Sequence, residues 1–405
     1  MATVAAVLGL VLLAVAVAAV AHRLSTPAPS LLVLVGLGLG FVPGVHVPHL
    51  SPDVVVLGIL PPLLFAAARE TSLPHLREVW GVVAALAIGL VLVTAVTVAV
   101  VTRWIDGRIG IAVAFVLGAV LASTDPVAVT ALSRRLRLPR RVATVVQTES
   151  LFNDATSLVL FQVAVVAATA HRVTGLDAAG RFVVLAGGGV LVGAAVGLLG
   201  DYAVRFAREA TVQAALALAI PYAAAVGAQA ARVSPVTAVI VAGLLLARRP
   251  GPRGGELTRG MYAVLVFLLE NVVFAVIGLQ LASYLRALHA ADRTVAVELV
   301  AAVTATLLIT RALALGGVVL AGRARGRAPQ ARWAAAAVVT WAGARGVVPL
   351  AAVLAIPGDM PHRPLLVAVA TAVVVVTLVV QGTTLAPLVR RVGLAESPGE
   401  EPGVT

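Results

Sequence analysis

Ala122-Ser123-Thr124-Asp125-Pro126-Val127-Ala128-Val129 sits inside a run otherwise apolar enough to cross a bilayer, and Glu149-Ser150-Leu151-Phe152-Asn153-Asp154 sits inside the next such run. These acids decide the reading. A carboxylate at membrane depth costs about 2.5–3.5 kcal/mol on insertion scales, so a chain that carries several has them paired or working. The expectation is an ion or proton path. Pro126 lacks a backbone donor and its ring crowds a preceding carbonyl, so the helix around 123–126 is expected to kink or unwind. Carbonyls freed in that way become available as ligands.

Working outward, the composition sets the environment. The 405 residues are 60% hydrophobic and 12% charged, whereas soluble domains are near one quarter charged; with a mean hydropathy of +1.05 the chain reads as an integral membrane protein. Windows of about 20 apolar residues predict thirteen crossings, over 2–21, 30–46, 53–68, 79–102, 109–131, 142–170, 182–199, 211–230, 234–247, 261–284, 294–320, 333–356 and 364–388. The first window lacks a charged leader region and reads as a retained helix. Residues 1–390 form one membrane transporter domain, and 391–405 a short, disordered cytoplasmic tail. With no cysteine, disulfides and thiolate metal sites are excluded. Gly187-Gly188-Gly189 has no phosphate-binding pattern around it and is expected to permit close helix approach.

All 30 basic residues are arginine, and their distribution orients the chain. Twenty lie in the odd-numbered loops and eight in the even-numbered ones, leaving Arg311 and Arg345 inside predicted helices. Cytoplasmic loops are enriched in basic residues, so the C-terminus is expected in the cytoplasm and the N-terminus outside. The net charge of +12 is thus a topology signal that faces anionic lipid, and no nucleic-acid partner follows from it.

Helical geometry separates the acids. Ser150, Asp154 and Ser157 fall at i, i+4 and i+7 on one stripe, while Glu149 and Asn153 form a second pair. Five residues at roughly 100° each set Glu149 and Asp154 about 140° apart, so the two carboxylates are expected to do different work. Asp154 is read as facing the ion path and Glu149 as facing protein. A hard cation such as Na+ prefers oxygen ligands, and Asp154, Asp125, the Ser150 hydroxyl and a Thr124 oxygen supply them if the fifth and sixth helices meet. Interhelical hydrogen bonding is the competing account of the hydroxyls.

Taken in order along the chain, these motifs resemble the cation:proton antiporter-1 family, the bacterial and eukaryotic Na+/H+ exchangers. Besides the two stretches above, Leu60-Pro61-Pro62-Leu63-Leu64-Phe65 is similar to the family's third-helix motif. Asn271 through Ile277-Gly278-Leu279-Gln280-Leu281 is similar to its tenth helix, Trp341-Ala342-Gly343-Ala344-Arg345-Gly346 to its twelfth, and Gln381-Gly382-Thr383-Thr384 to its last. The resemblance implies an all-α fold of about 13 transmembrane helices, built as two inverted repeats with discontinuous helices 5 and 12. It also implies core and dimerisation panels, elevator movement and a homodimer in the plasma membrane. Helices 5 and 12 are seven apart and so run in opposite directions, as inverted repeats require.

By the same resemblance Asp154 is the ion- and proton-carrying acid, and Asn153 stands where electrogenic relatives have a second aspartate, which implies electroneutral exchange. Asp125, Thr124 and Ser150 complete the Na+ site. Glu149 is implied to pair with Arg345, and Arg311 is a further buried arginine without an assigned partner. The chain departs from the family at Ala66, where many members carry an acid, and at Glu270, where an uncharged residue is expected. Glu270 either offsets the missing acid, pairs with Arg311, or faces water. The implied activity is Na+/H+ antiport by competition at Asp154, with no cofactor and with cation, proton and bilayer as partners. A K+/H+ antiporter of the same fold is the alternative. An intramembrane aspartyl protease using two aspartates is a more distant one, because neither Asp125 nor Asp154 follows a Gly-x-Gly sequence.

Overall fold

The computed structural model describes residues 2–24, 26–43, 54–71, 73–125, 140–169, 175–247, 255–321 and 329–393. Hydrophobic sequence without water to solvate its backbone can only fold into elements that satisfy their own N–H and C=O groups, and the described residues are helical. The elements are α1 (Ala2–Leu24), α2 (Ala28–Gly40), α3 (Leu60–Glu70), α4 (Leu73–Ala84), α5 (Val91–Ile105), α6 (Ile111–Leu121) and α7 (Arg140–Thr169). They continue with α8 (Gly175–Phe206), α9 (Ala210–Ala230), α10 (Pro235–Ala247), α11 (Gly255–Ala287), α12 (Ala290–Ala321), α13 (Pro329–Trp341), α14 (Val347–Leu354) and α15 (Arg363–Arg391). A π-helical segment, Val54–Ile59, leads into α3, and another, Ala85–Leu90, joins α4 to α5.

Among the described residues, seven helices or continuous helical runs are long and apolar enough to span a bilayer, and four shorter helices are apolar as well. Every predicted window finds its element. Two windows are not continuous helix over their described residues: in the fifth, α6 ends at Leu121 and 122–125 are non-helical, and the twelfth is split into α13 and α14 by residues 342–346. The remainder of the fifth window, with Pro126, and the tail from 394 lie outside the described residues.

The helices pack as two groups. In one, α5, α6, α7 and α12 contact one another, with α13, α14 and α15 against them; in the other, α8, α9 and α10 pack with α3, and α1 and α2 with α11. Contacts of α15 with α2 and α11, and of α7 with α8, join the groups. The Gly187-Gly188-Gly189 run acts where close approach is needed. A Cβ on Gly188 would meet Val233, and one on Gly189 would fall 2.7 Å from the Ser234 carbonyl oxygen, so α8 touches the start of α10 through bare backbone.

Candidate functional site: the crossing of two interrupted helices

An interrupted helix exposes carbonyls at one end and N–H groups at the other, and at membrane depth each must find a partner. The structure supplies these from neighbouring elements. After α6 ends, residues 122–125 run without helical structure and cross the 342–346 break, where the Asp125 N–H donates to the Ala344 carbonyl at 2.8 Å. The Ser157 hydroxyl caps the Ala119 carbonyl in the last turn of α6 at 2.7 Å. The Ser150 hydroxyl donates to the Thr124 carbonyl. Across the break, the Arg345 N–H donates to Thr377 Oγ1 of α15 at 3.2 Å, and the Arg345 guanidinium donates to the Gly343 carbonyl at 2.6 Å.

One stripe of α7 therefore faces the unwound part of the fifth window along its whole length. Ser150, Asp154 and Ser157 meet residues 124, 123 and 119 in turn, because two antiparallel segments read one another in reverse order. Asp154 is 8% exposed and accepts a hydrogen bond from Ser123 Oγ on its Oδ1. Asp125 lies two residues beyond Ser123 in the same non-helical stretch. Its carboxyl lies directly against Gly346, which precedes the first turn of α14. That places an anion at the positive end of a helix. A side chain at Gly346 would collide with the Asp125 carboxyl, so only glycine leaves room.

The adjacent face of α7 holds the other acid. Glu149 is fully buried at 0% exposure and Arg311 of α12 is 4% exposed. The guanidinium grips Glu149 with two parallel bonds of 2.7 Å, Nη1 to Oε1 and Nη2 to Oε2, while its Nε donates to the Val339 carbonyl at 3.0 Å. Bidentate geometry is what an Arg–carboxylate pair needs to offset the desolvation of both charges. Asn153 links the two faces, its Nδ2 donating to Glu149 Oε1 at 2.8 Å and to Thr124 Oγ1 at 3.2 Å.

The structure thus brings Asp154, Asp125, Thr124, Ser150, Asn153, Glu149, Arg345 and Arg311 into one region. It corrects one pairing. Arg345, the expected partner of Glu149, makes no ion pair with it; Arg311 does. Arg345 is 3% exposed and its Nε has no hydrogen-bond partner among the described residues. Its place explains this: it lies just beyond the C-terminal end of α13, whose carbonyls attract a cation, and it binds the Gly343 carbonyl. With Arg311 committed to Glu149, the proposed Glu270–Arg311 pair is also excluded. Glu270 is half-buried on α11.

Two participants were not singled out from sequence: Ser123, which donates to Asp154, and Thr377, which receives the Arg345 N–H. Ser123 was accessible in principle, since a buried carboxylate requires donors. Thr377, 32 residues from Arg345, carries no local signal. The remaining motifs serve as packing. Phe65 is fully buried and lies 5.8 Å from the Tyr262 ring. Trp341 Nε1 donates to Thr384 Oγ1 at 2.7 Å, tying the end of α13 to the last helix.

An all-helical membrane fold in which a broken helix is crossed by the non-helical end of another beside buried acids defines a class, the secondary transporters built around discontinuous helices. Within it, a model of the sodium/hydrogen exchanger transmembrane family matches residues 10–391, and the chain belongs to that family. It is 35% identical to the uncharacterized Na(+)/H(+) exchanger Rv2287 of Mycobacterium tuberculosis, over 95% of this chain and 74% of that protein. It is 30% identical to the Na(+)/H(+) antiporter ApNhaP of Aphanothece halophytica, over 91% of this chain and 70% of that protein. The fold matches the sodium proton antiporter MjNhaP1 of Methanocaldococcus jannaschii, with a TM-score of 0.73 at 18% identity, over 98% of this chain and 99% of the other.

Proposed function

We propose that this multi-pass membrane protein exchanges Na+ for H+ across the plasma membrane by competition of the two ions for Asp154. The observation that carries this is a buried Asp154 held by Ser123 at the crossing, beside Asp125 and the freed Thr124 backbone. Deprotonated Asp154 binds a cation, with Asp125, Ser150 and Thr124 as further oxygen ligands; protonated Asp154 is neutral. Hydroxyl and carbonyl oxygens keep spare lone pairs after one hydrogen bond, so the existing contacts leave coordinating capacity. Either loaded form can cross, while the empty anion is penalised by desolvation, and that exclusion couples the fluxes.

Asn153 does not titrate, so one acid per cycle makes the exchange electroneutral. The relatives named above as Na(+)/H(+) exchangers support Na+ as the substrate. We further propose elevator movement of the group containing α5–α7 and α12–α15 against the other group, a homodimer, and the C-terminus in the cytoplasm. Reconstitution in vesicles tests the reading: Na+ should collapse an imposed pH gradient without response to voltage, and Asp154→Asn should abolish it. Persistent exchange in that variant removes Asp154 from the mechanism, and a preference for K+ over Na+ selects the K+/H+ alternative.

A further inference from the structure

A crevice of about 840 Å³ opens between α11, α12 and α15, away from the crossing, with Phe41 at the end of α2 contributing to its wall. Its volume falls in the range of sites that enclose a small molecule, about 300–1,000 Å³. Among the described residues the lining is apolar except for three: Arg286, Arg293 and Thr304. We propose that this crevice binds one anionic glycerophospholipid of the surrounding bilayer, the phosphate between Arg286 and Arg293 and an acyl chain along α12.

Dimensions and charge both favour that occupant. From Arg293 to Leu308 the crevice follows sixteen residues of α12, fifteen steps or about 22 Å at 1.5 Å per residue. One leaflet with its headgroup layer is about 20–22 Å deep. Both arginines stand at one end of this length, and among the described lining residues there is no acid. The nearby Asp292 is engaged by Arg108 at 3.3 Å and approached by His289 at 4.0 Å. Arg286 stacks 5.5 Å over the Phe41 ring, and Arg293 is anchored through Nε to the Leu288 carbonyl at 3.1 Å and through Nη2 to the Arg286 carbonyl at 3.4 Å. The two cations are therefore held in place, and guanidinium groups bind phosphate by geometry as well as charge.

Farther in, the Thr304 hydroxyl is buried and has no hydrogen-bond partner among the described residues. Serine and threonine within helices commonly return that bond to their own backbone, as Thr306 does to Ala302 at 2.7 Å. The walls also matter: α12 and α15 carry Arg311 and Thr377, which hold the crossing, whereas α11 and α2 belong to the other helix group.

Native mass spectrometry of the purified full chain measures the binding, with phosphatidylglycerol and phosphatidylcholine of identical chains as probes. One tightly retained phosphatidylglycerol per chain is expected. Near a membrane surface each basic residue contributes about fivefold to anionic-lipid affinity, so Arg286→Gln with Arg293→Gln should weaken phosphatidylglycerol about 25- to 30-fold and leave phosphatidylcholine unchanged. Arg286→Lys with Arg293→Lys should keep most of the preference, which separates lost charge from lost folding. Ala301→Phe, which fills the crevice, should displace the lipid with both arginines intact. Equal retention of the two lipids, or full phosphatidylglycerol retention in Ala301→Phe, overturns the proposal, the second because the lipid would then lie only on the surface.

Discussion

Neutralising Glu149 should destabilise the protein strongly, and the loss should be coupled to Arg311 and not to Arg345. Two parallel bonds of 2.7 Å place the charge centres about 4 Å apart, worth roughly 4 kcal/mol at an effective dielectric constant near 20. Removing one partner of such a buried pair typically costs about 3–5 kcal/mol, because the other charge is left uncompensated, while replacing both by apolar residues is often nearly neutral. Glu149→Gln and Arg311→Met should therefore each lower the unfolding free energy by about 3 kcal/mol or more. The double variant should recover most of that, ending about 1–2 kcal/mol below wild type, for a coupling of about 4–5 kcal/mol. The same cycle with Arg345→Met should show less than half as much. Reversible unfolding in mixed micelles at rising dodecyl sulfate, followed by tryptophan fluorescence, supplies the numbers. A Glu149–Arg345 coupling equal to or larger than that of Glu149–Arg311, or a Glu149→Gln cost under about 1 kcal/mol, would refute the reasoning.

Two further outcomes follow from the geometry. Gly346→Ala drives a methyl group into the Asp125 carboxyl, so it should cost about 1–3 kcal/mol, as overpacking does, and raise the apparent KM for Na+ in vesicle exchange; an unchanged KM would detach Asp125 from the cation site. Asp106, in the loop after α5, accepts from Arg108 Nε at 2.9 Å and Nη2 at 2.8 Å, and these bonds hold its carboxyl below the ordinary range. A depressed folded-state pKa stabilises above the unfolded value, near 4, and that gain is lost as pH falls through the folded value. The stability gap between wild type and Asp106→Asn should thus be full at pH 7 and shrink below about pH 4; a gap that is constant down to pH 2 contradicts the assignment.

Much was legible in the amino-acid order because it rests on local physics. Apolar length located the described helices, since a segment in lipid has no partner for its backbone other than itself. The i, i+4, i+7 spacing put Ser150, Asp154 and Ser157 on one stripe, and Gly343-Ala344-Arg345-Gly346 marked a break that the structure places between α13 and α14. Helical angle also separated Glu149 from Asp154. What the order of residues left open was partner choice across long separations. Arg311 and Arg345 are both buried, both arginine and both near α7, and composition treats them alike. Only packing decides between them: α12 brings Arg311 within 2.7 Å of Glu149, whereas Arg345 is turned by the break toward the Gly343 carbonyl. Thr377 and the crevice of Arg286 and Arg293 belong to the same category, because each exists only where helices distant in sequence are brought side by side.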